Sequence, residues 1–495
     1  MGPQDADMRP RFMALLFAVL FLVAGGLLLA RQLMNLSPSA TPIAREPFPS
    51  ASGSASPSPS PTHRRSSSPR PTPTAKPSAS AKPSAIVGGT AHRTSIALVA
   101  TYDVAVTFRF DDRSVAGVST ITIHNASGGP IDRVELNTVM ARIGGLRVGG
   151  TTVDGRLVNP SVKDQTVIVP LGGSLRDGAT TRIQLAFRAT LRADLIGSDW
   201  LFTRTNGIVN ANRWLPWVSL QRPFDRPNYG DPFITASSPL VRVRITTDRP
   251  LVIAATGERV ASAGLVQTFE ARNVRDFNFT ASPLYRVHEA KAGAITIRLY
   301  SLDGYPDSTV LGYATDAVAR MGPLVGQYPY KTFSVAQSAG GDGMESPELI
   351  WIPGGLGGRQ LHWLVYHETA HQWFYGMVGS DQANQPFADE AAADQLARHV
   401  SGLWRASTCG LTRLDLSIYE YSSGCYFEII YVQGSQLLDS LRTRIGDAVY
   451  WRAMRDYVAA HRYGLGSTSA LLANLQAHTT VNLRPMLAPR FPSLY

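Results

Sequence analysis

Residues Leu361 to Val400 read LHWLVYHETAHQWFYGMVGSDQANQPFADEAAADQLARHV, and the rest of the chain is best understood from them. Within this stretch His367, Glu368 and His371 form H-E-x-x-H, and Glu390 follows after a gap of 18 residues. Helix positions four apart share a face one turn apart, so both imidazoles can reach one metal ion. Gly376 to Pro386 (GMVGSDQANQP) is rich in Gly, Asn, Asp and Pro, which predicts the end of that helix and a loop. A second helix starting near Phe387 or Ala388 then carries Glu390 in its first turn and returns its carboxylate to the histidines. Catalytic zinc takes three protein ligands and keeps one position for water. His367, His371 and Glu390 are therefore the expected ligands of one Zn2+.

Glu368 stands beside a ligand without being one, which places it to take a proton from water at the metal. The chemistry predicted is metal-assisted hydrolysis of an acyl bond. Asp394, one turn after Glu390, is the candidate acceptor for the outer N–H of a zinc histidine. The alternative for it is a solvated helix aspartate, and for the histidines a buried pair with no metal. A metzincin is excluded, because Phe374 and Met377 occupy the positions where that pattern needs a glycine and a third histidine.

At 495 residues the chain has room for two or three domains. Phe12 to Ala30 is an uninterrupted apolar run flanked by Arg9, Arg11 and Arg31. It is close to the ~20 residues that a membrane-spanning helix needs. The expectation is a single-pass signal anchor with the catalytic part extracellular; a cleaved signal peptide is the alternative. Residues 37–92 are mostly Pro, Ser, Thr and Ala, a composition that buries no core and predicts a disordered linker. Arg64, Arg65, Arg70, Lys76 and Lys82 in it account for half of the +10 net charge. Nothing has the clustered basic and aromatic pattern of a nucleic-acid binder. Cys409 and Cys425, close in sequence in an exported chain, are expected to form a disulfide, with two free thiols as the alternative.

From Ser95 the apolar pattern changes to period two: Tyr102, Val104, Val106, Phe108 and Phe110, then Ile183, Leu185 and Phe187, then Val241, Val243 and Ile245. Turn residues separate these runs, which predicts an antiparallel β-sandwich ending near Ala292. Beyond it, Ile295 to Leu299 reads as a strand and Ser308 to Val325 as a helix with one apolar stripe. Cys425 to Ile445 is a further amphipathic helix, and a last one follows Asp447.

HETAHQWFYGMV together with the gap and Glu390 resembles the gluzincin aminopeptidases of the aminopeptidase N type, the membrane alanyl aminopeptidases, whose pattern is H-E-x-x-H-Q-W-F-G and then a glutamate at the same distance. Gly343, Met344 and Glu345 resemble the family's G-x-M-E-N, with Asp342 in place of its first glycine and Ser346 in place of asparagine. The resemblance implies that Glu345 binds the substrate's free α-amine and that the strand around Gly343 and Met344 pairs with the peptide. Tyr431 to Gly434 is similar to Y-x-K-G, with Gln433 for lysine, which implies that Tyr431 donates to the oxyanion. Asn212 to Pro216 and Arg275 to Phe277 are also similar to family sequences, and the β module occupies the position of the domain that caps the family's cleft. Full-length members continue into a C-terminal helical domain; the sequence stops at Tyr495, so a cleft more open on that side is expected.

The predicted protein is thus α+β and multidomain: 1–36 cytoplasmic tail and transmembrane helix, 37–92 disordered linker, 93–292 antiparallel β domain, 293–495 thermolysin-like, mainly helical zinc-peptidase domain. Its predicted activity is zinc-dependent removal of N-terminal residues from peptides. The alternatives are a zinc endopeptidase of thermolysin-like fold and a non-catalytic surface binding protein.

Overall fold

The structure, a computed structural model, describes residues 84–224 and 233–495. The predicted tail, transmembrane helix and most of the predicted linker lie outside the described residues. Among the described ones, no helix is long and apolar enough to cross a membrane.

Leu98–Arg109 buries every second side chain along its length, as a strand with one face on the core does. It pairs antiparallel with Ser114–Asn125, the second strand of an eight-stranded sheet. On its other side Val241–Thr247 joins in parallel, so the module is not purely antiparallel as expected. The chain reaches that position only after building strands of a five-stranded and a four-stranded sheet, and such a crossover permits a parallel pair. Phe108 meets Trp214 and Phe279 edge-on in the core, with centroids 5.5 and 4.6 Å away. One short helix, α1 (Val139–Ile143), interrupts the strands.

Two expected boundaries move. Residues 84–92, assigned to the linker, belong to the β domain: Ile86 and Val87 pair with Leu175 and Ser174, and Ile86 is buried. The Asp132 carboxylate fixes the next turn by accepting the N–H groups of Ala91, His92 and Arg93 at 2.9, 2.6 and 3.2 Å. The boundary after Ala292 falls inside a hairpin. Arg286–Ala292 pairs with Ile295–Ser301, so both strands belong to the five-stranded sheet of the domain that follows. That sheet continues through Thr332–Ser338 and Leu349–Pro353 to the edge strand Met344–Ser346, which pairs only with Leu349–Pro353.

Helices cover this sheet. In α2 (Asp307–Val325) the buried residues Val310, Ala314, Ala317, Val318 and Met321 recur at helical spacing. α3 (Gly358–Ala370) and α4 (Glu390–Ser401) pack side by side. The expected helix over 425–445 is instead a wider π-type turn at Glu428–Gln433 followed by α5 (Gly434–Ile445). After α6 (Asp447–Ala460) come α7 (Thr468–Ala477) and a short α8 (Arg484–Leu487), neither of which was predicted. Cys409 and Cys425 are disulfide-bonded, with Cα atoms 6.0 Å apart.

One buried cation joins the β domain to the loop after α3. Arg275 donates to the carbonyls of Gly376, Thr235 and Gly464 at 3.4, 3.2 and 3.0 Å. Its guanidinium lies so close to Gly379 that a Cβ there would stand 2.0 Å from Nη1. Removing it would take this donor from the buried Gly376 and Thr235 carbonyls, whereas Gly464 keeps the Gly379 N–H at 3.1 Å. Arg275→Ala is expected to cost on the order of 3–5 kcal/mol of stability, measured by denaturant unfolding, with little rescue by Lys because its single ammonium cannot span the fork.

Candidate metal centre and substrate cleft

α3 places His367 and His371 one turn apart, and Glu390 begins α4 opposite them. The Nε2 atoms of the two rings are 3.1 Å apart, and Glu390 Oε2 lies 3.4 and 3.3 Å from them. All three residues are buried. They form a group able to hold a metal ion, the only such group among the described residues.

The donor set fits zinc on two counts. A point equidistant from three atoms so spaced lies about 1.9 Å from each, close to zinc–nitrogen and zinc–oxygen bond lengths of ~2.0–2.2 Å. The tautomers also fit. His371 Nδ1 faces the Phe374 carbonyl at 2.8 Å and Asp389 Oδ1 at 3.0 Å, both acceptors. It must carry the proton, which leaves the Nε2 lone pair for a metal. His367 Nδ1 faces Asp394 Oδ1 at 3.5 Å, beyond good hydrogen-bond length. Asp394 is instead engaged by Trp363 Nε1 at 2.7 Å and by Arg398 Nε. The predicted acceptor thus steers His367 from a distance, while the closer counterpart, Asp389 against His371, was not foreseen. Its position just ahead of the helix that Glu390 begins was the available signal.

Electrostatics follow from burial. Burial alone would lower the His367 pKa, but Asp394 and Glu390 outweigh it and raise it to about 9. Burial raises the Asp389 carboxyl to about 6 and the Glu368 carboxyl to about 8. Glu390 goes the other way despite its burial, held ionised by His371 and His367. Glu368 Oε2 is buried without a hydrogen-bond partner.

A cleft of about 290 Å³ surrounds these groups. Gly343 forms its floor, where a Cβ would stand 2.2 Å from Glu368 Oε1; only glycine lets the edge strand approach so closely. Met344 and Glu345 follow on the same strand, both buried. Glu345 Oε1 accepts from Arg213 Nη2 at 2.9 Å and Gln382 Nε2 at 3.5 Å. Arg213 lies in the NRWLP run, but nothing in the sequence marks it as the partner of Glu345. Ser346 Oγ bonds to Asp276, and the serine that departs from the family pattern has its own partner in the β domain. Tyr431, in the π-type turn, lines the cleft with its ring centroid 5.2 Å from that of His367. Trp200, Trp363 and Phe427 complete the wall. Of these, Trp363 was legible as the residue four before His367.

No family model matches the chain, and no curated protein matches it. Solved structures do. A crystal structure of an M1 zinc metallopeptidase from Deinococcus radiodurans matches with a TM-score of 0.62 and 21% identity, over 79% of this chain and 92% of that one. A variant of that enzyme bound to a Tyr-Ser-Ala substrate matches with a TM-score of 0.62 and 20% identity, over 82% and 96%. A two-domain M1 zinc metallopeptidase variant bound to L-arginine matches with a TM-score of 0.60 and 21% identity, over 77% and 91%. The described part of the chain has the fold of the M1 zinc metallopeptidases.

Metal and protons compete for the same imidazoles. His367, with a pKa raised to about 9, carries a proton at neutral pH in the metal-free protein. Zinc binding is therefore expected to release protons and to tighten as pH rises, by up to about tenfold per pH unit per displaced proton. Calorimetry of zinc into chelator-treated protein, in buffers of differing ionisation enthalpy, checks this.

Proposed function

We propose that the protein is a zinc-dependent aminopeptidase that hydrolyses N-terminal residues from peptides, akin to the membrane alanyl aminopeptidases. The observation that carries this reading is the convergence of His367, His371 and Glu390 beside a buried carboxylate, Glu368, with no partner of its own. His367, His371 and Glu390 would hold a zinc ion, which would supply the Lewis acid that polarises a carbonyl and acidifies water near neutral pH. With such an ion bound, Glu368 would be the residue to take a proton from water and pass it to the leaving amine, its carboxyl raised to about 8 by burial. Tyr431 donates to the oxygen that gains negative charge. Glu345 holds the α-amine, since its Oε2 takes no hydrogen bond among the described residues. The unpaired edge of Met344–Ser346 holds the peptide backbone. The peptide-bound neighbour supports a peptide substrate.

The setting belongs to the same proposal: a single-pass membrane protein anchored by residues 12–30, with the catalytic part extracellular beyond a Pro/Ser-rich spacer. The Cys409–Cys425 disulfide is the described feature that agrees with an oxidising compartment.

Glu368→Gln is expected to lower kcat by about 10²–10⁴-fold while zinc content is retained, and Tyr431→Phe by roughly 10²–10³-fold. A peptide with a free N-terminus is expected to be cleaved far faster than its N-acetylated copy. Equal rates on the two would favour the endopeptidase and remove Glu345 from its role.

A further inference from the structure

Resting on that reading, a second cavity next to the cleft assigns the length and far end of the substrate. The edge strand and α3 run in the same direction. Gly343 packs against Leu364 and Glu368, whereas further along Ser346 O and Glu348 N both bond the side chain of Gln372. Glu345 therefore lies towards the end of α3, at about the level of His371, with His367 and Gly343 on the side of the helix start. A peptide with its amine at Glu345 must leave the metal towards the start of α3, past Leu364 and Trp363.

There Trp363, already a wall of the cleft, also lines a cavity of about 380 Å³ with Arg359, Gln360, Arg398, Leu403 and Arg405. Arg405 is paired with Glu428, and Arg398 with Asp394. Arg398 is buried, gives Nε to Asp394 and Nη1 to the Leu403 carbonyl, and its Nη2 has no hydrogen-bond partner among the described residues. Arg359 has no acid partner among the described residues, and the first turn of α3 has no side-chain cap. After Asp394 and Glu428 are counted, the charge left over is positive. It comes from Arg359 and the positive end of the helix.

We infer that this cavity binds the free C-terminal carboxylate of short peptides whose amine is held at Glu345. From the level of Glu345, about residue 370 of α3, to the level of the cavity, about residue 361, is roughly 14 Å at ~1.5 Å per residue. At ~3.3 Å per extended residue, that corresponds to peptides of three to five residues. The activity is then that of a processing enzyme for the last short products of proteolysis, with the amine read by the buried Glu345 and the carboxylate by the exposed Arg359 beside the buried Arg398.

The test uses the zinc-loaded full chain and alanine-based peptides of two to eight residues, each as free acid and as C-terminal amide. The acid is expected to exceed the amide in kcat/KM by about tenfold at three to five residues, with the preference fading at greater length. Arg359→Gln is expected to bring the ratio towards one, and Arg359→Lys to restore part of it, a pattern that general damage to the enzyme would not produce. A ratio of one at every length in the unaltered protein overturns the inference and leaves the aminopeptidase reading intact. Acceleration of amide cleavage by added acetate would assign the cavity to a free anion and also overturn it. Cleavage of no free-amine peptide at all overturns the underlying reading and this one with it.

Discussion

The structure depends on how five carboxylates are buried together. Glu345, Glu368, Asp389, Glu390 and Asp394 are each at most 5% exposed. An isolated buried charge costs several kcal/mol or more, so each needs a cation or a proton. Arg213 serves Glu345 and Arg398 serves Asp394. That leaves Glu368, Asp389 and Glu390 around two imidazoles, a set whose balance requires positive charge between the rings. Protonated histidine supplies it at the cost of the Nε2 lone pairs. A divalent ion supplies it and keeps Asp389 useful as the acceptor behind His371. The packing of α3 against α4 can be understood as the scaffold that holds this arrangement closed to solvent.

What was legible from the sequence follows from how local each interaction is. Two histidines four apart encode their own geometry once a helix is granted, and Glu390 was reachable because a loop-rich segment separates two apolar helices. The pairing of Glu345 with Arg213 spans 132 residues and two domains, and no local pattern carries such information. Trp200 is similar: it abuts Gly341 across the cleft, with nothing in its neighbourhood in sequence to announce it. The domain edges were misplaced for a plainer reason. Composition marks where a core begins to be affordable, whereas a boundary is decided by which strand pairs with which. Ile86 pairing with Leu175, and Arg286–Ala292 pairing with Ile295–Ser301, are tertiary choices.

The β domain is therefore a structural part of the site. It contributes Arg213 to the carboxylate that ends the cleft and Trp200 to the wall, and Arg275 to the loop that follows the metal helix. Asp276, next to Arg275, accepts from both Ser346 and Tyr375, tying the edge strand and that same loop to one carboxylate. Burial raises its pKa to about 6, so these hydroxyl donors are part of what keeps it ionised near neutrality. A module that provided only a lid would not need three buried polar links to the catalytic layer.

Those links also bear on the proposed choice of an exopeptidase over an endopeptidase. An endopeptidase must let the chain continue past the metal in both directions. Here, beyond Glu345 stand Arg213 and Gln382, both buried, with Arg213 stacked over Phe233 and Tyr375 at 4.6 and 5.1 Å. The guanidinium holds Glu345 by Oε1 and blocks further passage, while Oε2 remains for one more cation. A peptide that begins with an ammonium group brings that cation; one that continues upstream brings neutral backbone into a filled corner. On the proposed reading, the same ion pair that stabilises the wall would also set where a substrate chain starts.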